Sequence, residues 1–284
     1  MEGNRFRQLI KSGRFTYGLG ISIADPAIVE LAAYSGFEFL LFAGKVPAIT
    51  KRIEDLLRAA EAVQISPIFN VVGEDLDPTL IGQVLDLGAD GVQFSLVSSR
   101  QRAEEIVRLS RIPPLGDREV FAGGRLGKYW GISMEEFTHR ANEAVIVVKI
   151  ETKKGLEHAE EILSVPGIDA VSVGQSDLSK TLGVGRDSPV IIEAQQHVMQ
   201  LAKSNGLAFL QLAMNTDDLG EWVKREESLR LFYFATDGVQ IGRSFRGLIQ
   251  KSNEVVAQSY KGGAEGLVSR VIGSDQPWLT TQSN

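Results

Sequence analysis

The stretch AVIVVKIETKKGLEHAEEILSVPGIDAVSVGQSDLSKTLG, residues 144–183, decides the fold. Two short apolar runs, Ala144 to Ile150 and Ile168 to Val173, flank an amphipathic segment that turns at Pro166-Gly167. A near-continuous apolar run of this length suits a strand buried on both faces, and strand, helix, strand in succession is the unit of a parallel sheet.

The same rhythm repeats on either side. Further candidate strands are FTYGLGIS from Phe15, FEFLLFAG from Phe37, SPIFNVVG from Ser66, GVQFSLV from Gly91, LAFLQLAM from Leu207 and LRLFYFAT from Leu229. The intervening helix patterns PAIVELAAYSG, ending at Gly36, and PAITKRIEDLLRAAEAVQ, from Pro47, carry Pro near their starts, where a missing N–H costs nothing. About eight βα units without a break in composition predict one (β/α)8 barrel (TIM barrel) over residues 1–284, with 262–284 as a C-terminal tail. Residues 111–142 are too long for a simple connection and form a long insertion before the fifth strand, expected as an active-site flap or an extra helix. Tyr129 and Trp130 within it either cover a substrate or pack on the barrel.

Composition narrows the function. A chain of 284 residues can bury roughly three quarters of its unfolded surface, and 43% apolar with 23% charged residues is ordinary for a globular protein. The net charge of −6 argues against nucleic acid as a partner, which calls for clustered positive charge. There is no cysteine, so thiolate chemistry and disulfides are excluded. No apolar run reaches about 18 residues and the N-terminus MEGNRFRQLIKSG lacks an apolar leader core, so neither a membrane nor secretion is expected, and a cytoplasmic location is. His139, His158 and His197 show no metal-ligand spacing such as HExxH.

Reactive groups of such barrels sit at the C-terminal ends of the strands. Glu151 ends VIVVKIE and Asp177 follows VSVG, so adjacent strands bring two carboxylates to one rim. Such a pair suits a hard divalent cation completed by water and a chelating oxo acid, and equally suits ion pairs or helix caps.

The motifs KIET, GLEHAEEI, GID and VGQSDLSKTLG resemble the paired metal motifs of the HpcH/HpaI aldolase family, a class II pyruvate aldolase and citrate lyase beta-like family. LDLGADGVQFSLVSS from Leu85, PPLGDR from Pro113 and GISIADPAIVELAAYSGFEFLLF are similar to further family segments, so the likeness covers residues 18 to 245 approximately. The resemblance implies a lyase or carboligase that works beside the carbonyl of pyruvate or another 2-oxo acid through a metal-stabilised enolate. It implies Glu151 and Asp177 as ligands of Mg2+, Mn2+ or Co2+, with the absence of any metal left open. Gly174, Gln175 and Ser176 would offer backbone N–H groups to the substrate carboxylate, or form an ordinary strand-to-helix turn. A homo-oligomer, a hexamer in this family, is also implied.

The departures mark a divergent member. Where the family carries an acid/base histidine and its aspartate, this chain reads FAGKVP, with Phe42 and Lys45; where it carries an arginine on the third strand, this chain has Asn70. Lys149 replaces the glutamine two residues before the metal glutamate. Strand alternation points Lys149 and Glu151 to the same side, their Cβ atoms about 7 Å apart, so the two can pair. Lys149 then either competes with a metal for Glu151, or stands in for the lost arginine beside an oxyanion, or acts as a base or Schiff-base lysine if burial lowers its pKa. Lys45 can replace the histidine as proton donor. Asp86, in LDLGA, is retained; in the family this aspartate can reach a neighbouring subunit's site, and a helix-surface charge is its plain alternative. A non-catalytic ligand-binding barrel is the reading that abandons the chemistry altogether.

Overall fold

Each of the eight apolar runs becomes a strand. The computed structural model describes residues 3–259. The strands are β1 (Thr16–Ile21), β2 (Phe39–Ala43), β3 (Ser66–Val71), β4 (Gly91–Phe94), β5 (Val145–Ile150), β6 (Ala170–Val173), β7 (Ala208–Ala213) and β8 (Leu231–Phe234), and they close in sequential order into an all-parallel barrel. The helices are α1 (Arg5–Lys11), α2 (Pro26–Tyr34), α3 (Pro47–Lys51), α4 (Ile53–Ala62), α5 (Pro78–Asp86), α6 (Arg100–Ser110), α7 (Met134–Asn142), α8 (Lys153–Glu157), α9 (Ala159–Leu163), α10 (Gln175–Leu182), α11 (Pro189–Ser204), α12 (Thr216–Arg225) and α13 (Asp237–Ser259). The chain divides into two units, Met1–Asp237 and Gly238–Asn284. The first holds the whole barrel; of the second only α13 is described, and the expected tail at 262–284 lies outside the described residues.

Alternation along the strands sorts the apolar residues into two cores. Phe39, Leu41, Ile68, Val145, Val147, Leu210, Leu231 and Tyr233 face the barrel interior, while Leu40, Phe42, Phe69, Phe94 and Phe232 face the helices. Phe6 of α1 closes the N-terminal end, its ring 5.0 Å from that of Phe39. Gly18 makes room for this plug, since a Cβ there would collide with the Phe39 ring.

Two local expectations change. The helix predicted from Pro47 is broken at Arg52, whose backbone (φ −112°, ψ 15°) leaves helical values while its guanidinium donates to the Ala24 carbonyl at 2.8 Å. The insertion does form an extra helix, α7, capped by Ser133, but it is not a flap over this barrel's own reactive rim. It joins the end of α6 to the start of β5, and both lie on the N-terminal face. Its side chains bind there: Arg111 donates to the Ala144 carbonyl at 2.5 Å and lies 3.3 Å from Asp169, while the Leu126 N–H donates to the Asp86 carbonyl at 3.0 Å. Tyr129 and Trp130, 63% and 66% exposed on that insertion, therefore cover no substrate at this chain's rim. Among the described residues no helix is long and apolar enough to cross a membrane.

Candidate active site at the C-terminal rim

β5 carries Lys149 and Glu151 on the inward side, and the two side chains meet. The Lys149 ammonium lies 2.6 Å from Oε2 of Glu151, whose side chain is 1% exposed. Oε1 of Glu151 accepts the Leu96 N–H at 2.9 Å. That N–H is delivered by a strained turn: Leu96 holds φ at 58°, a left-handed value costing of order 1–3 kcal/mol for a residue with a side chain. Oε2 has no partner besides the ammonium.

β6 ends against this pair. Gly174 donates its N–H to the Ile150 carbonyl at 2.9 Å, and a Cβ on Gly174 would collide with Oε2 of Glu151 and come within 2.9 Å of Lys149 Cε. Glycine is thus required by close approach. From Gly174 the chain turns directly into α10, which has no side-chain cap, so the N–H groups of its first turn at Gln175 and Ser176 are left for a ligand or water. Asp177 sits in that first turn, 39% exposed, with the Lys180 ammonium 3.5 Å away.

Burial alone would lower the Lys149 pKa, but the negative charge around it, the Glu151 carboxylate in direct contact above all, outweighs burial and holds the pKa above its ordinary value. Lys149 is an ammonium. Burial pushes the Tyr233 hydroxyl up, with Lys149 pulling it back, so it stays protonated inside the barrel.

Beneath the pair runs a ladder of buried amides and hydroxyls. Ser172 Oγ donates to Gln93 Oε1 at 3.3 Å, and Asn70 Oδ1 accepts from Gln93 Nε2 at 3.3 Å and from Ser95 Oγ at 3.2 Å. Among the described residues no hydrogen bond is made by the Asn70 amide nitrogen. Lys45 lies exposed in the turn after β2, on the same face but outside this cluster. Phe42 is fully buried against the helices and takes no part. Asp86 ends α5 on the opposite, N-terminal face, 3.7 Å from Arg118, so within one chain it cannot reach Glu151.

The structure thus joins Lys149, Glu151, Gly174 and Gln175, sets Asn70 just below, and separates Lys45 and Asp86 from them. Gln93, Ser95, Ser172 and Tyr233 belong to the interior and were missed. For Gln93, Ser95 and Ser172 a signal existed, polar residues at alternate positions in apolar runs; for Tyr233, one aromatic in LFYF, none did.

The sequence profile described as HpcH/HpaI aldolase/citrate lyase matches residues 17–239. The chain belongs to that family. Within the HpcH/HpaI family it is similar to a hydroxypyruvate/pyruvate aldolase of Pseudomonas aeruginosa, 34% identical over 181 residues that cover 63% of this chain and 67% of the relative. A 4-hydroxy-2-oxo-heptane-1,7-dioate aldolase of Klebsiella pneumoniae is 30% identical over 231 residues, 76% of this chain and 84% of the relative. Among solved structures the citrate synthase SbnG superposes with a TM-score of 0.77 at 28% identity, covering 89% of this chain and 98% of that one. Membership together with relatives that are aldolases makes this chain an aldolase-like lyase.

The HpcH/HpaI family typically works with a divalent metal, and Glu151 and Asp177 are the side chains here that could hold one. The donor set does not fit it as arranged. Two carboxylates would suffice for a cation completed by water and a chelating substrate, so the misfit lies in what already occupies them. Of the two carboxylates, Glu151 has one oxygen on a backbone N–H and the other on an ammonium. Two unit charges of like sign 4 Å apart repel by about 4 kcal/mol at an effective dielectric of ~20, and a dication beside an ammonium by about twice that.

Proposed function

We propose that this barrel makes or breaks a carbon–carbon bond beside the carbonyl of a 2-oxo acid, through the enolate, with the Lys149 ammonium as the positive charge facing the developing oxyanion. The observation that carries the reading is the buried Lys149–Glu151 pair at the end of β5, a fixed cation at the place where the family's chemistry gathers negative charge. In the cleavage direction the hydroxyl at C4 gives its proton to a water molecule, the C3–C4 bond breaks, and its electron pair passes into the C2 carbonyl. A preorganised cation in a water-poor interior stabilises that oxygen more than the ground-state carbonyl, which is what lowers the barrier.

The remaining residues fall into supporting roles. The uncapped N–H groups of Gln175 and Ser176, with the Gly174 turn before them, receive the C1 carboxylate, as helix N-termini do. The Asn70 amide donates to the substrate carbonyl in place of the arginine lost from β3. Lys45, exposed on the same face but outside the cluster, exchanges the C3 proton through intervening water. Glu151 keeps Lys149 charged and aimed. Asp86, on the far face, enters only through a second copy of the chain in a homo-oligomer. A metal held by Glu151 and Asp177 is the competing reading, supported by the family and requiring the ammonium to withdraw from Glu151.

The test is exchange of the pyruvate methyl protons in D2O, followed by NMR. Exchange that persists in EDTA supports the ammonium reading; exchange that appears only with Mg2+, Mn2+ or Co2+ supports the metal. No exchange and no oxo-acid binding under either condition would leave a non-catalytic barrel.

A further inference from the structure

The rim holds a second cation that the enolate chemistry leaves without a task. Arg186 lies half-buried in the loop between α10 and α11. Its Nε and Nη2 both donate to Gln175 Oε1, at 3.3 and 3.1 Å. Gln175 Nε2 in turn donates to Oε1 of Gln195 at 3.1 Å, and Gln195, 1% exposed, reaches Gln211 Oε1 at 3.5 Å. Three amides therefore fix the guanidinium without cancelling its charge. Among the described residues no carboxylate lies within 4.0 Å of it, the adjoining Asp187 included. An arginine fork is shaped for a carboxylate, and immobilising one costs side-chain entropy.

Its position relative to the site follows from the chain. Gln175, the residue it grips, adjoins Gly174, whose backbone is in contact with both Lys149 and Glu151. Its anchor thus adjoins in the chain the Gly174 turn that touches the Lys149–Glu151 pair, at the start of α10.

We propose that Arg186 binds the distal carboxylate of the substrate, so that this enzyme selects 2-oxo dicarboxylates over 2-oxo monocarboxylates. The inference rests on the 2-oxo acid reading above. Lys149 and the start of α10 hold the reacting end, and Arg186 supplies the missing half of a two-point electrostatic clamp. A charge-assisted contact of this kind is worth about 1.5–3 kcal/mol, roughly tenfold or more in affinity.

The experiment compares acids of matched length on the full chain by calorimetric titration: oxaloacetate against 2-oxobutyrate, and 2-oxoglutarate against 2-oxovalerate. The unmodified protein should bind the diacid of at least one pair about tenfold more tightly than its partner. Arg186→Met should bring that ratio to near one, Arg186→Lys should retain part of it, and Gln175→Leu, which keeps the guanidinium but removes its anchor, should give an intermediate value. Equal affinity within both pairs, or a ratio that survives in Arg186→Met, overturns the proposal. If monoacids bind and pyruvate exchanges while no diacid preference exists, this inference alone fails; if neither class binds, the functional reading fails with it. Should Arg186→Met not fold, Arg186→Lys and Gln175→Leu decide on the same ratio.

Discussion

The ammonium of Lys149 and the carboxylate of Glu151 meet at 2.6 Å on consecutive inward positions of β5. The chain sets its own cation against the glutamate. Lys149→Gln removes the charge and frees Oε2, so the variant should lose exchange in EDTA and regain it with added Mn2+. Pyruvate methyl exchange with and without metal reads this directly; a Lys149→Gln protein as active in EDTA as the parent would sink the ammonium role.

Gly174 tolerates no side chain because Oε2 of Glu151 and Cε of Lys149 fill the space where Cβ would go. Gly174→Ala should therefore pry the pair apart or shift the start of α10. The expected result is a fall in exchange of at least about tenfold with a stability loss of about 1–3 kcal/mol, the usual range for overpacking. Chemical denaturation and exchange measured on the same sample check both parts.

A lysine nucleophile needs its neutral amine, and Lys149 is held protonated: burial opposes the charge, yet the Glu151 carboxylate against it keeps the pKa above the ordinary value. Borohydride added to the protein with pyruvate should accordingly leave no reduced adduct on the peptide that contains Lys149. Mass spectrometry showing that adduct would move Lys149 from electrostatics to covalent catalysis.

Asp86 supplies a pH signature independent of activity. Burial pushes its carboxyl up to about 6, with Arg118 pulling down and Glu119 adding to the rise. A folded-state pKa above the unfolded one means that the folded protein binds the extra proton, so this group's contribution to stability grows as pH falls through about 6 toward 4. The stability of the parent relative to Asp86→Asn should rise by about 1–3 kcal/mol between pH 7.5 and pH 4.5. Urea unfolding at the two values measures it, and a difference that is flat or of opposite sign would show that Arg118 controls the group.

The closed barrel was legible in the chain because apolar runs and glycine turns are local signals, and each of the eight runs became the strand it predicted. The family motifs were legible too, and with them the rim where Glu151 and Asp177 stand. Strand alternation even put Lys149 and Glu151 on one side. Other parts of the site depend on distance across the barrel. That Gln93, Asn70 and Ser172 form one hydrogen-bonded ladder follows from the register of β3, β4, β5 and β6, which no single run contains. The insertion was read as a flap or extra helix; it forms the helix, and its place on the N-terminal face follows from the connection it makes.

By itself the sequence determined the barrel, the family and the pair of positions on β5, since period-two alternation and contiguous motifs act over a few residues. Only the tertiary structure decided that Glu151 has both oxygens engaged, that Phe42 faces the helices while Tyr233 faces the barrel interior, and that Arg186 is anchored by Gln175 with no carboxylate partner among the described residues. Those are contacts among residues far apart in the chain, and their energies depend on burial and direction, which exist only once the barrel has closed.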